Sequence, residues 1–246
     1  VENDTDLTAS QLKELCGIYE RVYQQKVKAP FPQDPWKQLD LSIQAVFNSW
    51  NSERAEKYRQ INKVTGLLGT AVNICTMVFG NMGDDCGTGV AFTRDGSSGE
   101  NEPMGEYLIN AQGEDVVAGI RTPKNLNDMP KEKDAIWKAA YKDLCSIMDR
   151  LERHYKYPQD VEFTVQQGKL WMLQTRNAKR TGLAGVRWAV EMATGKSYYD
   201  NKKQDKILTA KEALATVTGE DLEQLLFPIF NPKEEKKATP FITALP

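Results

Sequence analysis

Residues 160–180, DVEFTVQQGKLWMLQTRNAKR, alternate apolar and polar side chains, turn at Gly168 and alternate again. This is the pattern of two half-buried strands joined as a β-hairpin. Residues two apart on a strand share a face, so Asp160 goes with Glu162 and Gln174 goes with Arg176. Whether the two pairs meet depends on the loop. With Gly168 as the third residue of a three-residue loop, in the left-handed position glycine favours, Asp160 lies opposite Gln174 and Glu162 lies diagonal to it. A two-residue loop puts the pairs on opposite faces. The three-residue register predicts a buried face of Val161, Phe163, Val165, Trp171 and Leu173, with the four polar groups turned the other way.

The ordinary reading of such alternation is a solvated face. The choice of groups supports a second reading. A carboxylate and a side-chain amide oxygen are hard donors suited to Mg²⁺, which takes few protein ligands and leaves positions for phosphate oxygens and water. An arginine beside them can hold a phosphate bidentately.

Residues 66–176 read mainly as strands: GTAVNICTMVFG, GTGVAFTRD and GEYLINAQGEDVVAGI are β-branched or aromatic runs bounded by glycines. Glu114 and Asp115 interrupt the last run directly after a glycine, where they either cap a turn or face a cation. GNMGDDCGTG and DGSSGE could cradle phosphate, but no Walker motif is present and hairpin turns use the same residues. One helix breaks the strands, KDAIWKAAYKDLCSIMDRLERHY, with Ile136, Ala140, Leu144, Ile147 and Leu151 on one face.

Upstream, residues 8–59 are helical in pattern. Thr8 and Gln11 make a capping pair ahead of Leu12, Leu15, Tyr19 and Val22. Asp34 and Pro35 are N-cap and N1 residues for a helix whose stripe of Leu39, Ile43, Val46, Phe47 and Trp50 is expected to be core. Downstream of Arg180 the chain returns to helices at KEALATV and EDLEQLLFPIF, and NPKEEKKATP reads as an exposed linker.

The totals bound the function. The 246 residues carry 32 basic and 34 acidic side chains, a net charge of -2, which gives no electrostatic footprint for a nucleic-acid backbone. No apolar run is long enough to cross a bilayer. Cys16, Cys75, Cys86 and Cys145 are scattered, without a CxxC pair and with a single histidine in the chain, so neither zinc nor a disulfide framework is signalled. Reduced thiols in a cytoplasmic protein are expected, although an organelle-targeting leader upstream of Val1 would be hidden from view.

Two long stretches, GTAVNICTMVFGNMGDDCGTGVAFTRDGSSGENEPMGEYLINAQGEDVVAGIRTP and DVEFTVQQGKLWMLQTRNAKRTG, resemble the nucleotide-binding region of pyruvate, phosphate dikinases, and so do DTDLTASQLKEL, FPQDPWKQL and NSWNSERAEKYR upstream and FNP and ALP downstream. The resemblance covers nearly the entire chain. It implies an α+β, ATP-grasp-type lobe with an antiparallel sheet and flanking helices, incomplete at the N-terminus. Residues 1–63 would belong to adjoining helical subdomains, 64–180 would form the lobe with the hairpin, and 181–246 would lead toward a phosphohistidine domain.

The family forms phosphoenolpyruvate from pyruvate, ATP and phosphate through a phosphohistidine. The resemblance therefore implies ATP as substrate and Mg²⁺ as cofactor. It matches Glu162 and Gln174 to the metal-associated pair, Asp160 and Arg176 to neighbouring catalytic residues, and Glu114 and Asp115 to an acidic pair facing the phosphates. It lays the backbone of Cys75, Thr76, Met77 and Val78 along the adenine and sets Arg94 beside the phosphate-side loop.

Where the family reads Thr-Arg-Asn-Pro-Ser-Thr-Gly-Glu, this chain has Asp95 and Gly96 in place of Asn-Pro and Ser98 in place of the second Thr, and Cys86 replaces a serine. A flexible glycine for a stiff proline is expected to loosen that loop. The family's first lobe, which supplies a lysine and an arginine to the triphosphate, its phosphohistidine domain and its pyruvate-binding barrel are the partners the resemblance implies, within a homo-oligomeric enzyme. His154 lies at a helix end and is not expected to be the phosphoryl acceptor. Two other readings remain open at this stage: a phosphoenolpyruvate synthase-like fragment, and a non-catalytic docking module whose acidic face meets a partner protein.

Overall fold

The computed structural model describes residues 7–118, 121–197 and 202–226. The expected linker NPKEEKKATP and the FNP and ALP stretches lie outside the described residues. Contacts divide the chain into two compact units, Val1–Thr76 and Met77–Pro246, so the helices after Arg180 belong with the sheet.

The first unit holds three helices, α1 (Ala9–Val27), α2 (Pro35–Ser49) and α3 (Glu53–Ile61). Each starts where a side chain can take an orphan backbone N–H. Thr8 Oγ1 accepts from Gln11 N at 3.3 Å while Gln11 Oε1 accepts from Thr8 N at 2.9 Å. Asp34 Oδ1 accepts from Trp36 N at 3.1 Å, and Ser52 Oγ accepts from Ala55 N at 3.3 Å. The caps fall where the sequence puts them, but the core does not: no residue of the three helices is buried, and Val46 and Phe47 on the α2 stripe are exposed. The three helices do not pack on one another closely enough to bury either stripe.

Residues 69–80, expected to be a strand, form no ladder at all. The β-branched composition is right for a strand, but no described segment pairs with it, and Ile74, Met77 and Phe79 stand exposed.

The second unit is built on a five-stranded antiparallel sheet in the order β3-β2-β1-β4-β5, with β1 at Gly87–Phe92, β2 at Met104–Ile109, β3 at Lys124–Asn125, β4 at Gln159–Gln166 and β5 at Lys169–Asn177. One face is covered by α5 (Ala135–Tyr155) and a short 3-10 helix (Leu126–Lys131). Trp137, Ala140, Leu144 and Met148 of α5 meet Ala91, Tyr107, Val161, Phe163 and Val165 there. The buried stripe of α5 thus runs through Trp137 and Met148, while Ile136, Ile147 and Leu151 flank it half-buried.

A second apolar cluster sits at the base of the hairpin, where α6 (Gly182–Thr194) and α7 (Ala210–Thr216) bring Ala184, Trp188, Met192 and Ala213 against Ala178, Phe92 and Tyr157. Alongside them α8 (Gly219–Leu226) packs on α6. The α7 and α8 helices were legible in sequence, whereas α6 was not singled out, because Gly182 and Gly185 dilute its pattern. An added Cβ at Gly185 would lie 2.0 Å from Arg180 Nη1, so the Arg180 guanidinium, hydrogen-bonded to Tyr157 and Asp221, would have to shift.

Candidate functional site

The hairpin differs from its expected register in an instructive way. Its loop is two residues, Gln167 (φ 49°) and Gly168 (φ 73°), because Gln166 pairs with Lys169. Two successive left-handed residues make the turn whose twist suits a tight hairpin. Continued straight, that ladder would send Gln174 and Arg176 to the covered face. It does not continue straight: the register shifts between Glu162 and Phe163, which pair with Gln174 and Met172, leaving Leu173 as an unpaired bulge. The bulge restores the parity, so Asp160 pairs with Arg176, and Glu162 with Gln174. The four polar groups converge as expected, but directly opposite one another instead of diagonally.

The same shift corrects the expected buried face. Leu170 and Met172 pack on the core, whereas Trp171 lies outside it and Leu173 is 47% exposed.

Pairing extends the polar rows across the sheet. Val90 pairs with both Glu106 and Glu162, giving a row Glu106, Val90, Glu162, Gln174. Phe92 pairs with Met104 and Asp160, giving a second row that ends at Arg176. Glu106 was not singled out from the sequence; its signal was its alternate position in GEYLI.

Within this face Arg176 Nε donates to Asp160 Oδ2 at 2.6 Å, and Arg176 Nη2 stands 3.5 Å from Glu162 Oε1. The hydrogen bond to Asp160, more than the charge of Glu162, raises the Arg176 pKa above the ordinary arginine value, so it stays a cation. Asp160 is nearly buried, Glu162 half-buried, and Gln174 and Arg176 exposed. The arrangement offers one carboxylate and one amide oxygen from adjacent strands beside a fixed guanidinium. That donor set fits a hard divalent cation with most of its positions left to other oxygens. Among the described residues no group of three or more His, Cys, Asp or Glu side chains is placed to hold a metal ion.

The remaining candidates are dispersed. Glu114 and Asp115 are not strand residues: they occupy the first turn of α4 (Gly113–Ala118), and Asp115 Oδ2 accepts from Gln112 N at 2.8 Å, which caps the turn. The strand β2 leads into α4 where Ile109 pairs with Gly87, which itself pairs with Val165. The acidic pair is therefore at the turn end of β4, and Asp160 and Arg176 at the other.

Met77 and Val78 precede Phe79, whose N–H donates to Gln166 Oε1 at 2.7 Å. This segment also starts at the turn end of β4, about 13 Å along the strand from Glu162. Cys75 and Thr76 fall in the first unit.

The structure gives Arg94 other partners. It is 2% exposed, with Nε and Nη2 donating to Glu152 Oε1 at 2.9 and 2.7 Å and Nη1 donating to Glu191 Oε2 at 3.3 Å. It ties α5 to α6 and is not presented on the open face.

The loop after it is held in place despite Gly96. Asp95 Oδ1 accepts from Ser97 N at 2.7 Å and Ser98 N at 3.1 Å, and Gly96 O accepts from Thr181 N at 2.9 Å. Burial opposes ionisation of Asp95, but those backbone donors win and lower its pKa. Side-chain caps and tethers to α6 do what the proline ring would do. Cys86, fully buried, accepts from Gln167 N at 3.2 Å and helps pin the hairpin turn. His154 is exposed in the last turn of α5, as expected.

The chain is similar to known proteins over its whole length. The family described as "Pyruvate phosphate dikinase, AMP/ATP-binding domain" matches residues 4–128 and 124–196. A relative from Zea mays named "Pyruvate, phosphate dikinase 1, chloroplastic" is 50% identical over 246 residues, covering 100% of this chain and 24% of the relative. One of the same name from Arabidopsis thaliana is 52% identical over 231 residues, 94% of this chain and 22% of the relative. "Pyruvate, phosphate dikinase, chloroplastic" from Flaveria trinervia is 50% identical over 243 residues, 99% of this chain and 24% of the relative. The chain spans about a quarter of the length of the relatives it matches.

Proposed function

The chain belongs to the pyruvate phosphate dikinase AMP/ATP-binding domain family, and from that premise we propose that its open sheet face is one wall of an ATP site, in which Glu162 and Gln174 hold a magnesium ion. The observation that carries the reading is the direct pairing of Glu162 with Gln174, one row from Asp160 with Arg176, on the face α5 leaves open.

A magnesium ion held there would supply positive charge to offset that of a bound phosphate. Glu162 and Gln174 would supply two of its ligands, beside Arg176. Asp160 takes one N–H edge of the guanidinium and leaves the rest to meet a phosphate, a charge already in place when negative charge builds on the leaving oxygens. Met77 and Val78 lie at the turn end of β4, a spacing along the strand that suits a nucleotide base at one end and phosphates at the other.

In the whole enzyme these groups serve phosphoryl transfer from ATP to a histidine on another domain, and through it the formation of phosphoenolpyruvate from pyruvate, ATP and phosphate. The first lobe and the phosphohistidine domain are then partners of this chain, and the enzyme acts as a homo-oligomer. The family pattern, matched over residues 4–196, favours this over a docking module.

A ligand that binds only the folded form raises its stability, by about 2.7 kcal/mol at a hundredfold excess over Kd. Mg-ATP should therefore raise the melting temperature of the chain, and ATP with a chelator should raise it less. Equal shifts with and without magnesium would remove the metal from the account.

A further inference from the structure

We propose that Gln159 is a positioning residue that holds the hairpin in its bulged register and so keeps Gln174 and Arg176 on the side of Glu162, an inference that rests on the metal-site reading above. The two ends of the hairpin specify different registers. At the turn, Gln167 and Gly168 fix Gln166 opposite Lys169, and the ladder they start runs regularly through Phe163 opposite Met172. Extended without interruption it would pair Glu162 with Leu173 and Gln159 with Arg176, turning Gln174 and Arg176 toward the covered face. At the base, Gln159 pairs with Asn177 instead, one residue out of step.

Gln159 is 1% exposed, so its amide must be satisfied by protein groups. Its Oε1 accepts from Thr175 Oγ1 at 3.0 Å, and its Nε2 donates to Asn177 Oδ1 at 3.0 Å and to Tyr157 O at 2.8 Å. Its backbone is fixed to the neighbouring strand end, with N donating to Thr93 Oγ1 at 2.9 Å and O accepting from Thr93 N at 2.9 Å. Thr175 and Asn177 share the face of Gln159 only in the bulged register; a one-residue slip turns both away and strands a buried amide. Leu173, half exposed, contributes little packing of its own to hold the bulge. The register on which the polar face depends is thus chosen by hydrogen bonds on the opposite face.

The test reads register and ligand separately. With Glu162→Cys and Gln174→Cys together, the bulged register makes the two cysteines cross-strand partners within disulfide range, and mild oxidation with peptide mapping reports their bond. Introducing Gln159→Leu should lower that yield about tenfold, the scale set by leaving buried partners unsatisfied. Deleting Leu173 in the Gln159→Leu background should restore it, because the register dictated by the turn then itself pairs position 162 with position 174. A role in stability alone would not be rescued by removing a residue from the facing strand.

Thr175→Val, which removes one hydroxyl and little volume, should move the yield the same way by less, and serves if Gln159→Leu fails to fold. Undiminished cross-linking in either folded variant, or no rescue by the deletion, overturns the proposal. Mg-ATP affinity, measured on chains that retain Glu162 and Gln174, should follow the cross-linking yield. If the yield falls and recovers while affinity stays constant, the register role stands and the metal reading fails.

Discussion

Arg176 is shared unequally between two carboxylates: its Nε lies 2.6 Å from Asp160 Oδ2, while its Nη2 lies 3.5 Å from Glu162 Oε1. Burial explains the imbalance, since the Asp160 side chain is 10% exposed and that of Glu162 is 36% exposed, and the less solvated charge makes the stronger pair. Asp160 thereby keeps the guanidinium from closing on the carboxylate proposed to bind metal.

Asp160→Asn should release Arg176 toward Glu162 and set it in competition with Mg²⁺. We expect Mg-ATP affinity to fall about tenfold, the scale of one charge-assisted hydrogen bond, with a higher Mg²⁺ concentration at half-saturation. Calorimetric titration of Mg²⁺ at fixed ATP checks this. An unchanged magnesium dependence would assign Asp160 another role.

Arg94→Met separates a structural role from a ligand role. It leaves Glu152 and Glu191 without a buried cation from Arg94, and breaking such a pair costs about 3–5 kcal/mol. The melting temperature should fall substantially, while Mg-ATP affinity measured well below the melt stays the same. Lost affinity in a fully folded variant would return Arg94 to the phosphates.

The pair Arg180 and Asp221, both nearly buried, predicts an acid limb to the stability curve. Hydrogen bonds from Arg180, against the effect of burial, hold the Asp221 carboxyl far below the usual range. A depressed folded-state pKa means that the stabilisation is complete above the unfolded value of about 3.9 and is lost as pH falls through the folded value. Asp221→Asn should cost about 3 kcal/mol near neutral pH, and the gap to the natural chain should narrow below about pH 4. Urea unfolding between neutral pH and the acid range measures both.

Gly96→Ala should destabilise the chain by about 1–3 kcal/mol, since an added Cβ would lie 2.6 Å from Lys179 O, a backbone atom with little freedom to yield. If the variant is as stable as the natural chain, segment 178–181 gives way more easily than its hydrogen bonds suggest.

What the sequence could and could not disclose follows from the range of the forces involved. Thr8, Asp34 and the alternation of residues 160–166 act through neighbours a few residues away, so the helix starts and β4 were legible. The bulge at Leu173 was not, because it settles a conflict between a turn and a buried glutamine that lies fourteen residues before Leu173; Gln159 has no local signature. Residues 69–80 have the composition of a strand, and composition cannot supply a partner. Arg94 was expected beside a phosphate-side loop, yet its side chain is committed by Glu152 and Glu191, which come from helices far along the chain. Glu114 and Asp115 were expected to cap a turn or face a cation, and Asp115 caps.

A double-mutant cycle on Glu162 and Gln174, reading Mg-ATP affinity for Glu162→Ala, Gln174→Ala and the double variant, tests most directly whether the two residues serve one ion. Shared coordination predicts strong non-additivity, a coupling of about 0.5–3 kcal/mol, with the double variant little weaker than Glu162→Ala alone. Losses that add to within about 0.5 kcal/mol would mean that the carboxylate and the amide act on different groups, and the proposed metal site would be wrong.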